Sequence, residues 1–204
     1  MSVSAVTVAP EYRRLGLAQT LMDYFEHVSI HAPSKLVNLS ESELIDCLAK
    51  VAAYVHGIVV HPDLFAEVDR WAILADKVYI ENMDNRKPIG RTASELRPFF
   101  DALPEARFCL DLGHAWQIDP AMQVATELLD AFHPRLAELH VSEVNTKSQH
   151  CPVSRSVSED FRLVAAKIPS SVPAIVESEI EPNAMFREMR TVQYALGDVS
   201  SPPS

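Results

Sequence analysis

The chain has 204 residues, 48% of them hydrophobic, and its 18 Lys and Arg against 28 Asp and Glu leave a formal net charge of −10. That length supports one sizeable domain and is short for two. The acidity disfavours gripping a nucleic-acid backbone, which takes clustered Lys and Arg. No run of 18 apolar residues is available for a membrane span. Cys47, Cys109 and Cys151 are too few and too scattered for a disulfide framework. No charged and apolar leader opens the chain, so the expected location is the cytoplasm.

Hydrophobic patterning then gives the elements in chain order. A strand at 3–8 precedes a helix at 12–26. A strand at 27–31 ends in His-Ala-Pro, and a helix follows at 41–54, with Ser40 and Glu43 as a capping box. A strand at 57–61 is stopped by Pro62 and leads to a helix at 64–75. Next come a strand at 78–82 and a helix at 92–101, with Thr92 and Glu95 spaced as a second capping box. A strand at 107–111, a helix at 120–131, a strand at 137–141 and a helix at 158–167 follow. The series closes with a strand at 174–177 and a helix at 183–195. The expected organisation is one domain over 1–197 and a frayed tail over 198–204.

Strands alternating with helices imply right-handed βαβ units and a parallel sheet. The strands are continuous apolar runs, as expected when both faces are covered. Trp71, Phe99, Phe100 and Phe132 fall at helical spacing and are expected in the core, and Cys109 reads as a buried small hydrophobe.

The chemistry lies at the strand ends. Six of them carry His31, His61, Glu81, Asp111, His140 and Glu177, in steps of 20 to 37 residues, close to one βα unit each. In a parallel barrel such ends open on one mouth, where active sites lie. Taken singly, a histidine at a strand end is usually a hydrogen-bonded structural residue. Six together are different, because gathering uncompensated carboxylates costs several kcal/mol through repulsion and desolvation. A bound cation is the simplest compensation, and imidazole with carboxylate is a ligand set for Zn, Mn, Fe or Co.

Short motifs in a fixed order now point to a family. Ser29-Ile-His-Ala-Pro33, Val59-Val-His-Pro62, Tyr79-Ile-Glu-Asn-Met83, Cys109-Leu-Asp-Leu-Gly-His114, Leu139-His-Val-Ser142 and Ile175-Val-Glu-Ser178 resemble the strand ends of the xylose-isomerase-like TIM barrels. That superfamily includes endonuclease IV and the sugar-phosphate isomerases and epimerases. The resemblance implies an α/β fold of TIM type. Only about 25 residues precede the His31 strand, which the family pattern makes the third of eight, so the first βα unit is expected to be missing. An incomplete barrel exposes sheet edges and invites pairing with a second copy.

By the same resemblance, Glu81, Asp111, His140 and Glu177 are the expected metal ligands, with Glu81 and Glu177 also moving the substrate proton. The ion would be Mn, Mg, Co or Zn. His31 and His61 match extra zinc ligands of the endonuclease branch. His114 matches a residue that touches substrate or a second metal. His150 stands where that branch carries an Asp-x-His pair, but here the pair reads Ser148-Gln-His150. Glu143 stands where many relatives have Asp and is a further candidate. Arg86, Arg91 and Arg155 are candidates for a substrate phosphate. The implied activity is isomerisation or epimerisation of a sugar or sugar phosphate through an enediolate. The alternative is an endonuclease IV-like zinc phosphodiesterase cutting abasic-site DNA. A third expectation is a barrel without catalysis.

A separate local likeness sits at 6–18. Val6-Thr-Val-Ala-Pro-Glu-Tyr-Arg-Arg-Leu-Gly-Leu-Ala18 resembles the acetyl-CoA loop of GNAT acetyltransferases, in which amides at a helix N-terminus cradle pyrophosphate. It covers too little of the chain to set the fold.

Overall fold

The computed structural model describes residues 25–198. The expected strand at 3–8, the acetyl-CoA-like loop at 6–18 and most of the expected helix at 12–26 lie outside the described residues.

Six parallel strands form a curled sheet: β1 (Ser29–His31), β2 (Gly57–Val60), β3 (Val78–Glu81), β4 (Arg107–Asp111), β5 (Leu136–Val141) and, two short strands later, β8 (Ala174–Val176). They pair in the order β1-β2-β3-β4-β5-β8. Every neighbouring pair in that order is parallel. Chain order equals spatial order, as in a singly wound barrel. Among the described residues the sheet is an incomplete (β/α) barrel.

Helices cover the outer face. They are α1 (Glu41–Val51), α2 (Ala93–Ala102), α3 (Leu112–Ile118), α4 (Gln123–Phe132), α5 (Arg155–Ala165) and α6 (Met185–Ala195). The main core lies between these helices and the sheet, with Trp71, Leu96, Phe100, Phe108, Leu128, Phe132, Phe161 and Val192 buried in it. Phe100 and Phe132 pack with ring centroids 4.5 Å apart. Phe99 is only partly buried against that core. On the concave face a smaller apolar cluster of Val59, Tyr79 and Cys109 forms the floor. No helix of the described residues is long and apolar enough to cross a membrane.

Several local features depart from the patterning. The helix expected at 64–75 is replaced by 3₁₀ turns at Pro62–Leu64 and Val68–Lys77, the second broken at Ala75, whose φ is 48°. The buried carboxylate of Glu41, the first residue of α1, explains the departure. It accepts the backbone N–H groups of Ala66 and Glu67 and the indole N–H of Trp71, the last at 2.7 Å. These bonds hold the segment in tight turns. α4 starts at Gln123 rather than 120. Met122 is left-handed at φ 58°, and the Asp119 carboxylate accepts the N–H groups of Gln123 and Val124.

α5 starts at Arg155 instead of 158 because Ser154 caps it through the Val157 N–H. The short α3 and the antiparallel hairpin of β6 (Glu143–Val144) and β7 (His150–Cys151) were not expected. Of the two expected capping boxes, Ser40–Glu43 is complete. Thr92 accepts from the Glu95 N–H, but the Glu95 carboxylate turns to the backbone N–H and guanidinium of Arg91.

Glu41→Ala would leave the Trp71 indole and two amides without their acceptor. Hydrogen bonds to a carboxylate contribute about 1.5–3 kcal/mol each at most. We expect the variant to lose roughly 3 kcal/mol in urea unfolding followed by Trp fluorescence, with an unchanged slope.

Candidate metal centre

The six strand ends open on one mouth, and their side chains meet there. Glu81 is the hub. Its Oε2 lies 3.1 Å from His31 Nε2 and 3.0 Å from His61 Nε2. Its Oε1 lies 2.9 Å from His140 Nδ1. Glu177 Oε1 approaches the same Nδ1 to 3.2 Å. The Glu177 backbone N–H donates to Val141 O, which seats this residue just beyond β8 beside the end of β5.

Asp111 is held from two sides. Asn82, the residue after β3, donates its Nδ2 to Asp111 O at 2.9 Å and accepts the Asp111 N–H on Oδ1 at 2.8 Å. The amide thereby extends the β3–β4 ladder where the strands diverge. Asp111 Oδ1 caps α3 by accepting the His114 N–H at 2.7 Å. This short helix packs closely on β6. A side chain at Gly113 would collide with Ser142 O and Val144. His114 then donates Nδ1–H to Asn82 O at 2.9 Å. The hairpin returns His150 to the mouth, where its Nδ1 meets Ser142 Oγ at 2.7 Å and lies 3.6 Å from Glu177 Oε2.

Among the described residues four groups of potential ligand atoms result, each with its atoms within 4.8 Å of one another: His31, His61 and Glu81; Glu81, Asp111, His140 and Glu177; Asp111, His114 and His150; and Glu81, Cys109 and His140. Glu81 joins the first to the second and Asp111 joins the second to the third. Three buried side-chain atoms in this region have no hydrogen-bond partner: His61 Nδ1, Asp111 Oδ2 and His114 Nε2. Unpartnered buried polar atoms are rare and costly. Those of Asp111 and His114 leave lone pairs for a cation, and oxygen with imidazole nitrogen is a suitable donor set for a divalent ion.

The electrostatics point the same way. Burial pushes the Glu81 carboxyl up, but the His140, His31 and His61 imidazoles outweigh it and hold Glu81 well below the usual range. Burial raises Asp111, and the charges of Glu81 and Glu177 raise it further against His114. For His140, burial opposes charge, yet its neighbours Cys109, Glu177 and Glu81 lift it well above the ordinary value. Burial holds Cys109 as a thiol, so the carboxylates around the imidazole are the effective anions.

The remaining candidates stand outside these groups. Glu143 turns away, its carboxylate accepting the Ser154 N–H at 2.9 Å. Arg86 is paired with Asp84, and Arg91 with Glu95. Arg155 lines a groove of about 360 Å³ between α5 and α6 with Arg187 and Glu188. Trp116 packs on the core and donates to Asp160. Two contributors escaped the sequence reading. Asn82 stood unremarked beside Glu81. Glu138, two residues before His140, had a legible signal, since a two-residue step along a strand returns to the same face.

Asn82→Ala would free both polar groups of the Asp111 backbone in a buried setting. We expect a loss of roughly 2–3 kcal/mol in chemical unfolding.

No family profile and no curated protein sequence matches the chain. Solved structures do. A D-tagatose 3-epimerase-like protein superposes with TM-score 0.65 at 17% identity, over 89% of this chain and 81% of that one. Endonuclease IV from Thermus thermophilus also gives 0.65, at 19% identity, over 97% and 86%. SacUVDE gives 0.59 at 13% identity, over 89% and 70%. These likenesses show the fold: over the described residues the chain is an incomplete TIM-type (β/α) barrel.

Proposed function

We propose that the chain is a divalent-metal-dependent isomerase or epimerase of a sugar or sugar phosphate, with Glu81, Asp111, His140 and Glu177 as the ligands of Mn, Mg, Co or Zn. The observation that carries this reading is the convergence of these four side chains within 4.8 Å, with Asp111 Oδ2 buried and unpartnered. When bound, the ion would supply Lewis-acid stabilisation of the negative charge that develops on the substrate oxygens.

The protein supplies the proton traffic. Glu177 is the open carboxylate, with 22% of its side chain exposed against 1% for Glu81. It faces the substrate at the mouth and takes the proton from the carbon beside the carbonyl, giving an enediolate. Glu81 sits across the mouth, its Oε2 held by His31 and His61, and is the partner that returns a proton. Tyr79, Val59 and Cys109 form an apolar floor that limits water below the reacting atoms.

A phosphodiesterase of the endonuclease IV kind is the second reading. It is favoured by the flanking groups His31–His61–Glu81 and Asp111–His114–His150, which would suit additional ions. Against it stand the net charge of −10 and Ser148 in place of an aspartate. Elemental analysis separates the two: one or two Mn, Co or Mg ions per chain fits the isomerase, three zincs and nicking of abasic-site DNA the hydrolase.

Solvent-deuterium exchange into ketose substrates tests the proton transfer. We expect Glu177→Gln to lower exchange by roughly 10²–10⁴-fold, the usual contribution of a positioned general base. Exchange at the wild-type rate would remove Glu177 from the reaction. A pH effect on the ion also follows. Asp111 and His140 both have raised values, so without metal they keep protons at lower pH that an incoming cation must displace. Affinity for Mn²⁺ should rise from pH 6 to pH 8, and calorimetry in buffers of different ionisation enthalpy should detect proton release.

A further inference from the structure

Glu138 is fully buried, and the chemistry above makes no use of it. It lies on β5 two residues before His140, so both side chains project onto the concave face, Glu138 one layer deeper. Its carboxylate meets three groups. Oε1 receives the Ser29 hydroxyl at 3.0 Å and lies 3.0 Å from His140 Nε2, while Oε2 lies 2.5 Å from His27 Nε2. Ser29 belongs to β1, which is not a sheet neighbour of β5, so these bonds span the concavity.

We propose that Glu138 is a positioning residue for His140: its carboxylate takes the Nε2–H of that imidazole and so turns the Nδ1 lone pair toward Glu81 and Glu177, where the cation would sit. This rests on the reading of those residues as a metal centre. An ionised carboxylate can only accept hydrogen bonds, so the imidazole nitrogen facing it must be the one that carries hydrogen. The Ser29 hydroxyl and two imidazole nitrogens converge on the Glu138 carboxylate, whose oxygens serve them as acceptors. With Nε2 committed below, only Nδ1 is left to face the mouth, and it is the nitrogen that lies 2.9 Å from Glu81 and 3.2 Å from Glu177. Ser29 holds the same oxygen and His27 the other, which stops the carboxylate from swinging toward the cation. A metal-bound histidine whose second nitrogen donates to a carboxylate is thereby oriented and made more basic. A buried anion that served only to tie β1 to β5 would have no need to meet the one imidazole at the centre of the cluster.

The test uses the full chain labelled with ¹⁵N at histidine, the His140 signals being identified by their loss in His140→Gln. The readouts are the His140 Nε2–H resonance, with and without Zn²⁺, and the dissociation constant for Zn²⁺ alone. In the wild type the Nε2–H signal should be shifted downfield and protected from exchange in both states. In Glu138→Gln it should move upfield, and Zn²⁺ should bind roughly 10–100-fold more weakly, the usual cost of losing a carboxylate behind a metal-bound histidine. An unchanged Nε2–H signal in Glu138→Gln overturns the proposal, as does unchanged Zn²⁺ affinity. A wild type that takes up no Zn²⁺ overturns the metal reading instead, and the Nε2–H signal alone then decides the role of Glu138. Should Glu138→Gln fail to fold, Ser29→Ala replaces it, since it removes the hydroxyl that shares Oε1 with His140 and leaves His140 itself unaltered. A moved Nε2–H signal supports the proposal there and an unmoved one overturns it.

Discussion

Charge compensation at the concave mouth governs this structure. Glu81 and Asp111 are almost wholly withdrawn from water, and Glu177 stands beside them. Carboxylates gathered in a medium of low dielectric repel one another and forfeit their hydration, and only protons or cations relieve this. Imidazoles do part of the work, His31, His61 and His140 on Glu81 above all. They leave Asp111 Oδ2 unpartnered and Asp111 with a raised affinity for its proton. The arrangement is therefore incompletely balanced by protein alone, which is what a site prepared for a divalent ion requires.

The fold sustains that crowding by placing each charge on a rigid support. Strand ends deliver Glu81, Asp111 and His140 in adjacent parallel strands; Asp111 pairs with His140 across β4 and β5, and Glu81 with Cys109, two residues before Asp111. Where the ladder ends, side chains continue it: the Asn82 amide bridges to the Asp111 backbone. Asp111 divides its oxygens between capping α3 and facing the cluster, which couples local helix formation to the geometry of the mouth. Beneath this layer, Tyr79, Val59 and Cys109 exclude water, and Glu138 connects β5 to β1. Supports of this kind matter because a site displaced by even 1 Å loses much of its chemistry.

How much of this was legible in the sequence differs by level. The six strands were readable because each is a short, continuous apolar run, and the mouth was readable because each run ends in His, Asp or Glu. Periodicity failed where side chains far away in sequence take the backbone hydrogen bonds. The 64–75 segment has helical spacing, yet Glu41 captures its amides and Ala75 breaks its turn. Caps formed by Asp119 and Ser154 shifted two helix starts, and α3 was hidden because its cap, Asp111, was already assigned to the strand. His150 reached the mouth only through a hairpin whose strands are two residues each, below what alternation can signal. Glu143 was placed by likeness to relatives, but it serves as an acceptor for the start of α5. Asn82 and Glu138 do their work through nitrogens and oxygens whose partners lie across the sheet, information that spacing alone does not contain.

Anomalous diffraction from crystals loaded with Zn²⁺ tests the central claim most directly. The account predicts a peak bounded by Glu81, Asp111, His140 Nδ1 and Glu177, with ligand distances of about 2.0–2.2 Å. Fully occupied metal elsewhere in the molecule, with these four side chains still bonded only to one another, would contradict it.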